Sequence, residues 1–219
     1  MNVRAYVFLC GLVTLCATPA HALVTHPLDP LEDFEILTAA SILIEAGAAN
    51  PGASFQNIEL KEPSKDFVLG FQQGEAIPRS ATVFYRQDRR SFRTAVDLIS
   101  GEFTRPELIP RRDGQLGLTI GEIFDFEFLF QDPTFLDALM RRGIDTAEEL
   151  ANVFVTPLTP GSFGLPEESR RIVKAQMYDI GGASINLYAR PIEGIQAIVD
   201  LDDQVVIDVL DSGVVAVPT

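Results

Sequence analysis

The chain is short of the residues from which most catalytic and metal sites are built. It has two cysteines and two histidines in 219 residues. Cys10, Cys16 and His21 all fall within residues 1–22, and that stretch reads as a signal peptide rather than as part of a fold. Arg4 supplies a positive start, Ala5 to Cys16 an apolar run, and Ala20-His21-Ala22 the small-x-small form of a signal-peptidase site. The run is shorter than the ~20 residues a membrane helix needs. Leu9 and Leu15 precede the cysteines where a lipid-anchor site wants a small residue. Export to a periplasmic or extracellular space, with cleavage after Ala22, is the expectation. The rest of the chain then has no thiol and one imidazole, His26. Disulfides, Cys-ligated zinc, cysteine nucleophiles and any site built from several histidines are excluded from it. A Ser-His-Asp set is a weak prospect, and no glycine loop of phosphate-cradling form is present.

Positive charge is also scarce. Seventeen Lys and Arg face 31 Asp and Glu, for a net charge of -14. That argues against a nucleic-acid partner or an anionic membrane surface, since both are held by clustered bases. The chain is 47% apolar, too much for a disordered segment. After Ala22, its length suits one large or two small domains.

Pattern favours two similar units, residues 23–108 and 109–219. In the first, Asp29, Pro30 and Glu32 predict a helix start. Phe34, Leu37 and Ile44, broadened by Ile36, Ala40 and Leu43, predict its buried face, and Gly47 its end. Strands are expected at 55–60, 66–71, 81–86 and 92–99. The Pro- and Arg-rich stretch 105–114 reads as a connector. In the second unit, Thr119 with Glu122 predicts a capped helix to about Phe130. Asp132-Pro133 starts another ending at Gly143, and Asp145 with Glu148 a third. Strands are expected at 171–178, 184–189, 194–201 and 204–210, with Ile195, Ala197, Val199 and Leu201 to one side, as also Val205, Ile207 and Val209. The fold class is α+β: two tandem small domains, each a helix packed on a curved antiparallel sheet of about four strands.

Several clusters suggest chemistry. His26 beside a helix start could ligate a metal, though a lone imidazole is commonly a surface or capping group. Asp200, Asp202, Asp203, Asp208 and Asp211 suggest calcium, but they lack EF-hand spacing and suit turns and strand edges. Glu122, Asp125 and Glu127 could form a general acid–base pair or simply cap and solvate a helix. Arg89, Arg90, Arg93, Arg111 and Arg112 are expected to meet acidic neighbours rather than a polyanion.

Other blocks resemble a known family. His26-Pro-Leu-Asp-Pro-Leu31 and Phe55-Gln-Asn-Ile-Glu-Leu60-Lys-Glu-Pro-Ser-Lys65 are similar to the second N-terminal domain of copper- and topaquinone-dependent amine oxidases. Asp132 to Ile144, Val155 to Gly164, Arg170-Arg171, and Asn186-Leu-Tyr-Ala-Arg-Pro-Ile-Glu-Gly194 with Val199-Asp-Leu201 resemble the third. The resemblance spans about residues 26–218. It implies a non-catalytic domain pair flanking a catalytic homodimer that oxidises primary amines to aldehyde, ammonia and hydrogen peroxide. It further implies that Pro157 and Leu158, in an exposed loop, reach the outer rim of a substrate funnel; many members carry Trp where Leu158 stands.

The family's chemical apparatus has no counterpart in these residues. Topaquinone forms from a tyrosine within Asn-Tyr-Asp or Asn-Tyr-Glu, whereas Tyr6, Tyr85, Tyr178 and Tyr188 follow Ala5, Phe84, Met177 and Leu187. Copper needs three histidines, two as His-x-His, and carboxylates are poor substitutes for imidazole. The family's aspartate base would lie beyond Thr219. No catalytic, metal or cofactor residue is therefore assigned here. The expectation is a truncated or split gene product whose catalytic domain is supplied in cis or in trans. The alternative is a stand-alone periplasmic binding or interaction module without enzymatic activity.

Overall fold

A computed structural model describes residues 24–161, 163–181 and 186–217; residues 1–22, expected from the sequence to be a signal peptide, lie outside them. Two four-stranded antiparallel sheets are present, each a meander in sequence order. The first unit runs α1 (Asp33–Glu45), β1 (Ser54–Leu60), α2 (Lys65–Gly70), β2 (Ser80–Gln87), β3 (Arg90–Asp97) and β4 (Glu107–Ile109). The second has α3 (Ile120–Phe124), α4 (Pro133–Met140), α5 (Ala147–Ala151), β5 (Val153–Leu158), β6 (Ile172–Asp179), β7 (Ile195–Asp200) and β8 (Val205–Asp211), with a 3-10 turn at Glu127–Gln131. The α+β architecture is as expected. Among the described residues no helix is long and apolar enough to cross a membrane.

Local departures from expectation have local causes. The α1 cap is Glu32, with Glu35 completing a capping box. Asp29 instead accepts from Thr25 N and His26 N, at 2.8 Å each, closing a turn ahead of the helix. The face turned to the core carries Glu35, Ala39 and Leu43, and Phe34 and Leu37 are exposed. Residues 66–71 are not a strand: Ser64 Oγ caps Phe67 N and nucleates α2. The fourth strand of the first sheet comes from the expected connector, as β4 between Pro106 and Pro110 on an edge.

In the second unit α3 stops at Phe124. Thr146 with Glu149, one residue later than expected, caps α5. Residues 184–189 are not a strand where described, since 186–189 form turn. The missing strand is β5, whose Val153 and Val155 enter the core. It lies at the sheet edge, where Pro157 is tolerated opposite Ala175. A bulge in β8 places Val206 opposite Val199 and Asp208 opposite Ile198, with Ile207 the extra residue. Val206 and Val209 therefore face the core, while Val205 and Ile207 are exposed.

The end of β8 is clasped by Arg142, whose fully buried side chain bonds Asp211, Gly213 O, Glu193 O and Ala138 O. Gly194 passes beneath this clasp at φ 74°, and an added Cβ would fall on the Gly213 carbonyl oxygen. Gly194→Ala combines left-handed backbone strain of about 1–2 kcal/mol with that clash. It is expected to lower the urea midpoint and to hasten hydrogen exchange at Ser212 N, which donates to Gly194 O.

Candidate functional site

Each unit is closed by the same buried device. Arg79, just before β2, bonds Glu35 through Nε at 2.8 Å and Nη2 at 2.6 Å. Its other hydrogens reach Asp29 O and Pro30 O, ahead of α1. Arg171, just before β6, bonds Glu122 through Nε and Nη2, and reaches Leu116 O and Gly117 O ahead of α3. Glu35 and Glu122 both stand third in their helices and complete capping boxes. A bidentate guanidinium thus ties helix start to second strand in both units.

These pairs contribute to the acid response, as does Asp211, which hydrogen bonds from Arg142 and Arg141 hold well below the ordinary carboxylate range. Hydrogen bonds from Arg79 hold the Glu35 carboxyl below its ordinary range. Burial pushes Glu122 upward, but its bonds from Arg171 and Thr119 outweigh that and hold it below the ordinary range as well. A carboxylate depressed in the fold contributes stability that is present above its unfolded pKa and is lost as pH falls through the folded one. Urea midpoints are expected to be level near neutrality and to decline below about pH 5. Glu122→Gln should flatten part of that decline.

The second device also joins the units. Arg86 of β2 donates through Nη2 to both oxygens of Asp202, at 2.8 and 3.0 Å. Its Nη1 lies 3.7 Å from Glu122. Arg111 reaches Asp202 at 3.2 Å, and Arg89 reaches Asp203 at 2.7 Å. Arg89 and Asp88 form the β2–β3 turn with φ 62° and 50°, a backbone that usually selects Asn or Gly. The turn directs Arg89 and Arg90 toward the junction.

The remaining candidates disperse. His26 is exposed, accepts from Leu28 N at 3.1 Å through Nδ1, and has Phe71 edge-on at 5.8 Å. Asp200 is buried and orders the turn by accepting from Asp202 N and Asp203 N. Asp211 belongs to the Arg141 and Arg142 clasp. Asp125 accepts from Gln204, and Glu127 begins the 3-10 turn without joining Glu122. Arg93 pairs with Glu107 and Arg112 with Asp113. Pro157 and Leu158 sit in edge strand β5 rather than in a loop, Pro157 half-buried and Leu158 exposed. Sequence reasoning missed the structural roles of Arg79, Arg86 and Asp202; an arginine before each second strand was the available signal.

Similarity to known proteins follows this two-unit division. The family model for the copper amine oxidase N2 domain matches residues 26–109, and that for the N3 domain matches residues 122–219. The chain belongs to the copper amine oxidase family, as its N2 and N3 domains. Histamine oxidase of Arthrobacter globiformis is 34% identical over 92% of this chain and 29% of its own length. A copper-containing amine oxidase, gamma 1, of Arabidopsis thaliana is 30% identical over 88% of this chain and 27% of its own. A crystal structure of a copper-containing benzylamine oxidase from Hansenula polymorpha superimposes with a TM-score of 0.64 at 20% identity. It covers 85% of this chain and 30% of that one, and it establishes the shared fold. The chain spans about three-tenths of the length of the curated relatives it matches.

The described N2 and N3 residues do not fit the copper that the names of the gamma 1 and benzylamine oxidases specify. Among the described residues no three His, Cys, Asp or Glu side chains are placed to hold a metal ion. His26 is the one described histidine, and its Nδ1 is engaged locally. No catalytic step is derived through copper on these residues.

Proposed function

We propose that this N2–N3 pair is the non-catalytic flank of an exported copper- and topaquinone-dependent primary-amine oxidase. The family reaction converts primary amine, dioxygen and water to aldehyde, ammonia and hydrogen peroxide. It would take place on a catalytic domain, homodimeric as in the family, supplied by the same polypeptide or by another. The observation that carries the proposal is the N2 match followed by the N3 match, in that order along one chain. Exposed apolar residues support it. Ile120 and Phe124 project from α3, which lies against β5, and Leu158, Phe163 and Leu165 are exposed along and after β5. In this reading Pro157 and Leu158 contribute to the rim of the amine entrance.

Two measurements test the proposal. Copper-loaded chain given benzylamine, tyramine or phenethylamine should release no peroxide and give no quinone stain. Grafted in place of the corresponding domains of the Arthrobacter histamine oxidase, residues 26–217 should yield a soluble, quinone-forming enzyme. Copper-dependent turnover by this chain alone, or a chimera that never forms quinone, would overturn the reading. A second reading, a binding module without enzymatic activity, draws on the arginine-lined junction.

A further inference from the structure

We propose that the junction between the N2 and N3 units binds a small divalent oxyanion of the phosphate class. A cavity of about 150 Å³ opens there, lined by Arg86, Arg89, Arg90, Arg111 and Arg171 together with Gln115 and others. It has space for several waters, enough for one tetrahedral oxyanion. Five arginines on one cavity are notable in a chain of net charge -14.

The carboxylates in reach leave these cations incompletely answered. Glu122, Asp202 and Asp203 are the acids paired with them. Glu122 is taken up by both ends of the Arg171 fork, and Asp202 by Arg86. Arg86 has a side chain only 9% exposed, and its Nε lacks a hydrogen-bond partner among the described residues. Arg90 is exposed and has no carboxylate within ion-pair distance among the described residues. A guanidinium buried with part of its donor set unmet is costly. Burial and the nearby Arg171 charge also depress the Arg86 pKa, the direction expected for excess positive charge at one place. A bound dianion would neutralise that excess, and the forked geometry of arginine suits tetrahedral oxyanions.

A polyanion does not suit the site, because the acidic surroundings repel an extended phosphate backbone. An organic substituent does have room. A second cavity of about 420 Å³ shares Arg111, Gly114, Gln115 and Arg171 with the first, and continues past Leu118 and Pro160. The ligand class is therefore free phosphate or a small phosphate monoester.

Calorimetry on the full chain tests this, with inorganic phosphate and glycerol phosphate titrated at ionic strength held constant by sodium chloride. Saturable binding of one equivalent is expected. Arg90→Ala, which breaks no internal ion pair, should weaken it about tenfold, the equivalent of one charge-assisted contact. Arg111→Ala should do the same or more. Arg112→Ala, at an 83% exposed side chain outside the cavity, should leave affinity unchanged. Tighter binding of glycerol phosphate identifies an organic phosphate as the ligand, and equal affinity identifies the free anion. Heats no larger than those with chloride, or an Arg90→Ala protein that binds as tightly as the parent, would overturn the proposal.

Discussion

Glu122→Ala is expected to lower the unfolding free energy by about 3–5 kcal/mol, the range for removing one partner of a buried ion pair. For a protein of this size that corresponds to a fall in Tm of roughly 10 °C. The size follows from what Glu122 holds. It is the third residue of α3 and accepts from Thr119 N at 2.9 Å. It receives two bonds from Arg171, whose side chain is 3% exposed, and lies 3.7 Å from Arg86. Removing it leaves one buried guanidinium without its carboxylate and another with less compensation. It also removes half of a capping box. Thermal unfolding followed by circular dichroism measures the change. A fall of under about 2 °C would show that the pair lies in a far more polar setting than the structure gives it. Glu35→Ala should destabilise the first unit by the same mechanism, without reaching the junction.

Phe135→Ala should cost about 3–5 kcal/mol by a different route, the cavity left by a large buried ring. Phe135 is fully buried on α4, with the Phe130 ring edge-on at 5.8 Å. Its backbone N–H donates to Asp132, which caps the helix. Because alanine keeps that cap, the loss reports packing rather than helix initiation. Urea unfolding should show a lower midpoint with an unchanged slope, the mark of lost stability without a change in the surface exposed. A loss below about 1 kcal/mol would mean that α4 collapses into the space, and that the core is looser than a native interior.

The helix starts and hairpins that obey short-range rules were legible in the sequence. Thr119 with Glu122, and Asp132 followed by Pro133, mark α3 and α4 because capping is settled within four residues. The alternation of Ile195, Ala197 and Val199 marks β7 for the same kind of reason. Reading failed where distant partners decide. Pro157 and Leu158 read as an exposed loop, and only the position of β5 at a sheet edge allows the proline. Residues 107–109 became a strand because β3 offers an open edge, and nothing in Glu-Leu-Ile itself says so. The β8 bulge moved the inward position from Val205 and Ile207 to Val206 while Val209 kept its own, and a period-two reading has no means of seeing an inserted residue. The junction was least visible of all, for its residues are scattered from Arg86 to Asp203.

That scatter bears on how the protein comes into being on the ribosome. Arg79 meets Glu35 across 44 residues, so the first unit has its internal clasp soon after β2 is made. Arg86 waits longer, because Asp202 follows it by 116 residues. Until Asp202 is made, the acid this guanidinium can meet is Glu122, at 3.7 Å in the finished fold, and its remaining donors are best served by water. The outer end of the β2–β3 hairpin is therefore expected to stay hydrated until the β7–β8 turn is available to dock against it. A nascent chain arrested before Asp202 would carry a folded first unit and an open, solvent-filled seam.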